Sequence, residues 1–249
     1  MKKIALITGA TGGIGLGTAK ALAKDGYTLF INGIDDAAAE VAMKELHDLG
    51  AEAEYVKFDV TDEEAVNINV KAIGEKYGHI DVLVNNAGGL GGRSRFEDME
   101  TKFYRFVLAL NLDSAFFVSR AAIPYLKKSE YPSIVNFASN AAWNAGGAGA
   151  GLYGVSKGGI VLLTRALAKD LAEYGIRVNA VSPGTIDTPF HDNIKKTNPQ
   201  LFESWKNNIL MKRFGKAEEV GSVISFLCSD KASFITGEIV QINGGQDLL

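Results

Sequence analysis

The chain has 249 residues, of which 47% are hydrophobic and 22% are charged, and its formal net charge is −3. This length allows one large α/β domain or two small ones, and the composition is ordinary for a globular protein with a sizeable core. The small negative charge gives no electrostatic reason to expect nucleic acid or an anionic membrane as a partner.

The cysteine count and the apolar runs bear on the compartment. The single cysteine, Cys228, lies in an apolar run, where a buried, inert thiol is expected, and it cannot form an internal disulfide. The first apolar run is broken by Thr8 and Gly9, which makes it too short for a signal peptide. No segment approaches the ~18 uninterrupted apolar residues of a membrane span. We therefore predict a cytoplasmic protein with neither a membrane nor a nucleic-acid partner.

Short β-rich runs alternate with helical patterns from end to end. Most of these runs lack polar alternation, as strands covered on both faces do. The regular alternation predicts a seven-stranded parallel sheet inside a three-layer α/β/α sandwich, and one domain over residues 1–249. The predicted strands are 3–8, 27–31, 54–60, 80–85, 133–138, 177–182 and 239–242, and helices are predicted over 15–24 and 37–49, for example.

Residues 190–214 interrupt this alternation. The insertion lies between the sixth predicted strand and a helix that begins near Glu218. A long insertion at this point is either a lid over an active site or a helical hairpin that only caps the core. We predict a substrate lid around residues 186–214. The side chains that mark the insertion are Phe190, His191, Phe202, Trp205, Lys212, Arg213 and Phe214.

A glycine-rich turn, Thr-Gly-Ala-Thr-Gly-Gly-Ile-Gly over residues 8–15, follows the first predicted strand and opens a helix. Gly9 allows the chain to turn off the strand, Gly13 leaves room for a pyrophosphate, and Gly15 lets the helix pack closely on the sheet. The helix N-terminus then faces the phosphates. In this setting the motif predicts a bound nucleotide.

Residues 133–157 combine a short apolar strand, a glycine-rich loop and the start of an amphipathic helix. Tyr153 and Lys157 are four residues apart, so on a helix they lie one turn apart on the same face. A lysine ammonium beside a tyrosine hydroxyl, with the Ser139 hydroxyl at a nearby strand end, suits proton transfer. Taken alone, the same spacing is also typical of a packed ring and a solvated amine.

These motifs, in this order, resemble the single-domain branch of the short-chain dehydrogenase/reductase family, and the resemblance extends over essentially the whole chain. It implies a Rossmann-type fold. The segments that carry it are TGxxxGxG from Thr8, Asp59-Val60, NNAG over residues 85–88, Asn111, Ser139, the Tyr153–Lys157 pair, Pro183-Gly184, and residues 213–215, 235–237 and 243–245.

The resemblance assigns a role to each residue of the candidate reaction centre. Tyr153 would exchange a proton with the substrate oxygen, and Ser139 would hydrogen-bond the same oxygen. Lys157 would lower the tyrosine pKa and hold the nicotinamide ribose, and Asn111 would anchor a water. The implied cofactor contacts are Gly9, Thr11, Gly12, Gly13, Ile14, Gly15, Ile34, Asp35, Asp59, Val60, Asn86, Ala87, Gly88, Tyr153, Lys157, Pro183, Gly184, Ile186 and Thr188.

Cofactor preference is expected to depend on the end of the second strand. A basic residue just before the second motif glycine, or just after this strand, often favours a 2′-phosphate in the family. Gly12 and the segment Asn-Gly-Ile-Asp-Asp over residues 32–36 hold no arginine or lysine. The acidic residue that usually binds the ribose of NAD would fall near Gly33 and is absent, although Asp35 could reach in or simply begin a helix. We expect NAD(H), with NADP(H) as an open alternative.

Three other chemistries lack the residues they need. Three scattered histidines and one cysteine do not make a His/Cys zinc site, so no metal is predicted. A Ser-His-Asp triad has no nucleophile elbow, and the glycine turn lacks the lysine and hydroxyl of a P-loop. The reaction that the resemblance implies is therefore hydride transfer between a nicotinamide cofactor and a secondary alcohol or carbonyl.

Candidate substrate residues follow the NNAG segment and Ser139, or lie in the insertion. Trp143 and Asn144 could offer a ring and an amide to a polar substrate. Cations at the pocket mouth could bind a carboxylate, or could be ordinary solvated charges. The predicted substrate residues are Arg93, Asn140, Trp143, Asn144 and His191, and the further cations considered are Arg95, Lys212 and Arg213.

Three functions are weighed for this site. NNAGG and residues 188–192, TPFHD, look like sugar and sugar-acid reductases, which favours a sugar or keto-sugar acid such as a keto-deoxy uronate as substrate. The alternative is a 3-oxoacyl thioester (acyl-carrier-protein) reductase, which shares nearly every motif. From another class, a non-catalytic dinucleotide-sensing regulator usually shows a damaged Ser-Tyr-Lys set, whereas this chain keeps it.

The sequence also gives expectations about the oligomeric state and about the length of the loop between Ser139 and Tyr153. Family members commonly pair the helix after Tyr153 and the helix after Asn111, which implies a homotetramer or homodimer. Gly154, Gly158 and Gly159 would allow a close approach by a neighbour, or could admit the cofactor. Ser139 and Tyr153 are separated by one residue more than is common in the family, and the glycine-rich loop can absorb it.

Overall fold

The computed structural model of the chain describes residues 2–248. Its centre is a parallel sheet of seven strands, in the order β3-β2-β1-β4-β5-β6-β7. The strands are Lys3–Ile7 (β1), Tyr27–Gly33 (β2), Ala53–Lys57 (β3), Val82–Asn85 (β4), Ser133–Phe137 (β5), Arg177–Pro183 (β6) and Ile239–Ile242 (β7). The strand order reverses between β1 and β4, which is where ligands bind in open α/β sheets.

Helices cover both faces of the sheet, so the predicted Rossmann-type α/β/α sandwich is confirmed. The helices are Gly13–Lys24 (α1), Asp36–Asp48 (α2), Glu63–Tyr77 (α3), Thr101–Leu108 (α4), Ser114–Leu126 (α5), Ala141–Asn144 (α6), Gly151–Leu171 (α7), Asp192–Thr197 (α8), Pro199–Ser204 (α9) and Ala217–Cys228 (α10). The cluster on one face contains side chains of α1, α2 and α10, and that on the other contains side chains of α3, α5 and α7.

The third strand ends earlier than its apolar pattern predicts. Strand β3 stops at Lys57, whereas the pattern extends to Val60. The reason is local, because the Asp59 carboxylate accepts hydrogen bonds from the backbone N–H and the hydroxyl of Thr61, both at 2.8 Å. Aspartate bonding two residues ahead turns the chain out of the sheet. Asp59 and Val60 therefore lie in a loop just beyond the strand.

Two observations bear on the predictions of a buried thiol and of no membrane-spanning segment. Cys228 is buried, and burial raises the pKa of its thiol to about 12. Among the described residues, the continuous helix Thr101–Leu126 is long and apolar enough to cross a membrane, with 39% of its most apolar window buried. Its α5 part packs against α3 in the sandwich, and core helices of water-soluble proteins pass the same test.

Candidate active site

The glycine turn forms an open cradle at the start of α1. Gly9 and Gly13 have φ of +61° and +53°, which glycine adopts without strain. A Cβ at Gly15 would lie 2.4 Å from the Gly9 carbonyl oxygen, so the turn closes only around glycine there. A Cβ at Gly12 would meet nothing within 4 Å, and no side chain caps the helix at this residue. The uncapped N–H groups and the open space fit the pyrophosphate of a dinucleotide.

Two buried polar residues that the sequence analysis passed over support this turn. The Thr8 hydroxyl accepts hydrogen bonds from the backbone N–H groups of Asn86 and Ala87 at 3.1 and 3.0 Å. The Asn32 side chain accepts from Gly9 N–H at 3.3 Å and donates to Phe58 O at 2.8 Å. Each is a polar residue at the end of a buried apolar strand, which is the signal that could have identified it.

Asn86 was predicted to contact the cofactor, and its amide is used within the protein. Its Nδ2 donates to the carbonyl oxygens of Thr8 and Gly9 at 2.9 and 2.8 Å. Asn86 thus joins the end of β4 to the glycine turn. Ala87 lies against the same turn, since a Cβ at Gly9 would be 2.9 Å from Ala87 Cα.

The end of β2 is shaped by Thr11 and by an ion pair from the neighbouring strand. A Cβ at Gly33 would lie 2.5 Å from the Thr11 methyl carbon, so a larger residue would clash there. Asp35 is the N-cap of α2, because its carboxylate accepts from two backbone N–H groups of the first turn. Lys57 pairs in register with Gly33, and its Nζ lies 2.5 Å from the Asp36 carboxylate. Strand register therefore brings to this end a cation that no local pattern reveals.

A π-helical turn, Ala109–Asp113, places Asn111 between α4 and α5. Such turns inside a helix occur frequently at functional sites. The Asn111 side chain is buried; its Nδ2 donates to Gly89 O at 2.8 Å and its Oδ1 accepts from Gly89 N–H at 2.9 Å. A Cβ at Gly88 would lie 2.8 Å from Asn111 Oδ1 and 3.3 Å from Lys157 Nζ. The NNAG segment thus brings Asn111 and Lys157 to the same place.

Ser139, Tyr153 and Lys157 converge beyond the carboxyl end of β5. The buried Lys157 donates from Nζ to Phe137 O at 2.7 Å, and Nζ lies 5.7 Å from the centre of the Tyr153 ring. Burial lowers the pKa of Lys157 to about 8. Burial raises the pKa of Tyr153, while a hydrogen bond with Ser139 works in the opposite direction. The three predicted side chains are therefore together.

The glycines of α7 have packing partners inside the chain. A Cβ at Gly154 would lie 2.8 Å from Ala141 O, so this glycine lets the Tyr153 helix contact the loop after Ser139. A Cβ at Gly159 would lie 3.0 Å from the Leu112 side chain, near Asn111. For these two positions, contact within the chain supplies the packing reason.

The substrate candidates after Ser139 are tied to the C-terminal segment. Asn140 Nδ2 donates to Asp247 at 3.0 Å, and Asn144 Nδ2 donates to the same carboxylate at 3.1 Å. Trp143, between them, is 39% exposed. The Arg93 guanidinium donates to Ala148 O at 2.8 Å, so at least part of this cation serves to hold the glycine-rich loop.

The segment from Ile186 to Gly215 is an excursion closed at its base. Ile186 and Gly215 form an isolated bridge, and Gly215 N–H donates to Thr185 O at 3.0 Å. The buried Thr188 lies against the glycine turn, since a Cβ built on Gly13 would be 3.6 Å from the Cβ of Thr188. Strand β6 ends at Pro183, and a Cβ at the following Gly184 would lie 2.7 Å from the Asn243 Cβ.

An aromatic cluster fills the inside of this excursion. Phe202 and Phe214 stack with ring centres 4.4 Å apart, and Trp205 packs on Phe202. His191 lies 5.5 Å from the Phe202 ring, and its pKa is lowered to about 4, chiefly by burial. At neutral pH this substrate candidate is therefore an uncharged member of the cluster.

Across residues 2–248, no group of three or more His, Cys, Asp and Glu side chains is placed to hold a metal ion. Polar groups instead lie at the carboxyl ends of the strands, from Thr8 and Asn86 at the glycine turn to Ser139 after β5. Ile14 lies in the first turn of α1, and Ile34 is exposed beside the end of β2. These features fit a bound dinucleotide.

Known proteins similar to this chain identify its family. A family model described as enoyl-(acyl carrier protein) reductase matches residues 9–247. The 3-oxoacyl-[acyl-carrier-protein] reductase FabG of Thermotoga maritima is 38% identical over 247 residues, which cover 98% of this chain and 97% of the relative.

Two solved structures extend the comparison. Actinorhodin polyketide ketoreductase, solved with NADPH, has a TM-score of 0.92 and 30% identity, covering 98% of this chain and 97% of its own. The NADH-dependent reductase A1-R′ responsible for alginate metabolism has a TM-score of 0.90 and 34% identity, covering 100% and 98%. The chain therefore belongs to the short-chain dehydrogenase/reductase family, and it is an NAD(P)(H)-dependent oxidoreductase acting on alcohol and carbonyl groups.

Proposed function

We propose that the chain reduces the ketone of a 3-oxoacyl thioester to a secondary alcohol, with Asn111, Ser139, Tyr153 and Lys157 as its reaction centre. The observation that carries the proposal is the convergence of these side chains beside the glycine cradle. The similarity to 3-oxoacyl-[acyl-carrier-protein] reductase and to a polyketide ketoreductase favours this substrate class over the sugar acid that the local motifs favour. These enzyme relatives also argue against a non-catalytic regulator.

The protonation states of the free site suit reduction. Because burial raises the pKa of Tyr153, its hydroxyl is protonated at neutral pH and can donate to the oxygen of a ketone. In this reaction the Ser139 hydroxyl would turn from Asn140 Oδ1, to which it donates at 3.2 Å, and donate to the same oxygen. With a pKa of about 8, Lys157 carries its charge at neutral pH, and that charge stabilises the phenolate left after proton donation. The bound nicotinamide supplies the hydride.

Asn111 acts in this scheme by position. Its amide holds Gly89 through two hydrogen bonds and contacts the Gly88 turn beside Lys157. Asn111 therefore holds the NNAG segment beside Lys157. A water anchored by Asn111, as the family resemblance implies, would link Lys157 to solvent.

We propose NAD(H) as the preferred cofactor. Lys57, the cation that strand register brings to the end of β2, is neutralised by Asp36 at 2.5 Å, so a 2′-phosphate would meet a balanced pair there and not a free charge. Thr11 fills the space at Gly33 where an acidic side chain would otherwise bind the ribose. NADP(H) is the alternative, since a small change in this pair would release Lys57.

The engagement of the cations supports a neutral substrate. Arg213 forms a two-armed ion pair with Glu219 at 2.8 and 2.6 Å, and Lys212 donates to Asn207 O at 2.7 Å. Arg93 is bonded to the Ala148 carbonyl. Three of the four cations considered for a carboxylate therefore have partners within the chain; within residues 2–248 the fourth, Arg95, has no side-chain hydrogen bond or ion pair. A thioester ketone needs no such cation.

The second candidate is a sugar or keto-sugar acid. The observation in its favour is the similarity to an NADH-dependent reductase of alginate metabolism, together with the NAD(H) preference proposed above. Its polar substrate would contact Trp143, and Asn140 and Asn144 could bind it only by releasing Asp247. Unlike a thioester, a keto-sugar acid carries a carboxylate, for which a cation near the pocket would be needed.

We also propose that the segment 186–214 is a lid and that the chain forms homodimers or homotetramers. The bridge between Ile186 and Gly215 fixes the base of the segment, while its small aromatic core lets it move as a unit.

For assembly, α4, α5 and α7 expose large apolar side chains that a second copy would cover. These are Tyr104, Phe106, Phe116, Val155 and Leu162.

Steady-state kinetics on a substrate panel test the proposal. The panel contains a 3-oxoacyl thioester, a keto-deoxy uronate, a neutral ketose and a 2-enoyl thioester, each assayed with NADH and with NADPH. We expect the highest kcat/KM for the 3-oxoacyl thioester with NADH. Highest kcat/KM on the uronate would establish the second candidate. Turnover of the enoyl thioester alone would contradict reduction of a carbonyl.

A further inference from the structure

The C-terminal segment places a carboxylate beside the substrate loop. Asp247, half-buried, accepts hydrogen bonds from Asn140 Nδ2 at 3.0 Å and from Asn144 Nδ2 at 3.1 and 3.2 Å. Asn140 in turn accepts a hydrogen bond from the Ser139 hydroxyl at 3.2 Å. One asparagine side chain therefore separates Asp247 from the candidate catalytic serine.

Both amides are committed to this arrangement. Asn144 Oδ1 accepts from Gly146 N–H at 2.8 Å, so the two ends of its amide are used within the protein. Asn140 uses its nitrogen for Asp247 and its oxygen for Ser139. Because a carboxylate only accepts hydrogen bonds, it fixes both amides with their nitrogens toward Asp247.

The segment that carries Asp247 is anchored on the strand ends. Gln246 Oε1 accepts from Thr185 N–H at 2.9 Å and from the Thr185 hydroxyl at 3.1 Å. Asn243 Nδ2 donates to Asp247 O at 2.8 Å. Gly184 admits this contact, since a Cβ there would lie 2.7 Å from Gln246 Oε1. The carboxylate is thus held in place and does not belong to a loose tail.

Within residues 2–248, no lysine, arginine or histidine nitrogen forms an ion pair with Asp247. Its hydrogen-bond donors are neutral amides, so its negative charge is not cancelled locally. A like charge brought to the same wall of the site would be repelled, and the repulsion grows where water is excluded.

We propose that Asp247 is a specificity-determining residue that disfavours substrates with a carboxylate on the Asn140–Asn144 side of the reacting carbonyl and so favours neutral esters and thioesters. This inference rests on the proposed function, because it takes Ser139 as the point where the carbonyl binds. Asp247 acts through Asn140 and Asn144, which lie between its carboxylate and the substrate and hold that carboxylate in place.

A matched pair of substrates isolates this charge. We would measure kcat/KM for a 3-oxo acid and for its methyl ester in the wild-type enzyme and in Asp247→Asn, at low and high salt. The wild type is expected to prefer the ester. In Asp247→Asn the ester-to-acid ratio should fall about tenfold, mainly through a lower KM for the acid, and the wild-type ratio should shrink as salt rises.

Two further variants separate charge from structure. Asp247→Glu keeps the charge and should keep the wild-type ratio even if its overall rate falls. Leu248→Ala, at an exposed neighbour, should leave both substrates unaffected. A loop that was merely disordered by the substitution would lower kcat/KM for acid and ester alike and leave the ratio unchanged.

The outcomes also separate the inference from the function on which it rests. Wild-type turnover of the ester with an unchanged ratio in Asp247→Asn would overturn the specificity role and leave the proposed reductase intact. Absence of wild-type turnover on the ester and on the 3-oxoacyl thioester would overturn both.

Discussion

The cofactor end and the substrate end of this site are built in different ways. Around the glycine turn, main-chain geometry decides the structure: Gly15 has no room for a Cβ, and Thr8 and Asn86 bond backbone groups. Around the substrate loop, side chains bond other side chains, as Asn140 and Asn144 do with Asp247. At the glycine turn few residue types other than glycine fit the backbone. At the substrate loop a single side chain can be replaced without changing the backbone.

This difference has a functional consequence. A backbone cradle fits a cofactor that does not vary, because the dinucleotide always presents the same phosphates. A wall of side chains fits a substrate that differs between relatives, because its charge and shape can change without moving the sheet. Substitutions at the two ends should therefore separate cofactor binding from turnover.

The largest separation is expected for Tyr153→Phe. Removing the hydroxyl removes the proposed proton donor, so kcat should fall by about 10³-fold, within the usual range for general acid–base catalysis. The ring remains, so NADH affinity, measured by titration of protein fluorescence, should be retained. Tyr131→Phe, at an exposed ring, serves as the matched control and should keep full activity. Retained turnover in Tyr153→Phe would remove Tyr153 from the chemistry.

The same contrast explains which features could be predicted from sequence. Strands and the glycine turn were predictable because each depends on neighbours along the chain, such as the apolar run of β1 followed by Gly9. The end of β3 was predicted too late because Asp59 forms a turn that an apolar pattern does not register. That Ser139, Tyr153 and Lys157 lie together could be expected from the family motifs, and their catalytic roles stay a prediction.

The contacts that define the substrate end lie beyond the reach of local patterns. Asn140 and Asp247 are 107 residues apart, and nothing near either residue indicates the other. Lys57 reaches the cofactor end only through its register with Gly33. Gly154 was expected to face a neighbouring subunit or the cofactor, and its close partner is Ala141 of the same chain.

A pair of glycine substitutions tests the backbone cradle. In Gly15→Ala the new Cβ would lie 2.4 Å from Gly9 O and 2.8 Å from Ala10 Cα, which are backbone atoms that cannot turn aside. We expect a loss of about 1–3 kcal/mol in the free energy of unfolding, typical of overpacking, together with weaker NADH binding. Thermal unfolding and cofactor titration measure the two effects.

Gly12→Ala is the matched partner of that variant. Its backbone is extended, with φ of 179°, and its Cβ would meet no protein atom within 4 Å. Stability should therefore be kept, while NADH affinity should fall about tenfold, because the methyl group enters the space expected for the pyrophosphate. Unchanged affinity in Gly12→Ala would mean that the dinucleotide does not cross the turn at this point.

The smallest effect is expected where the cofactor end does rely on side chains. Asp36 neutralises Lys57 at the end of β2, so Asp36→Asn should free a cation for the 2′-phosphate of NADPH. We expect kcat/KM for NADPH to rise about fivefold relative to NADH, with little change in the affinity for NADH.

Two controls decide whether Lys57 is responsible. Asp48→Asn removes a similar exposed ion pair, with Lys44, at the other end of α2 and should leave cofactor preference unchanged. Adding Lys57→Met to Asp36→Asn should cancel the gain. If the double variant still prefers NADPH more than the wild type does, the gain comes from losing the negative charge of Asp36 and not from the lysine. In that case the preference would depend on repulsion alone, and the register between β2 and β3 would have no part in cofactor choice.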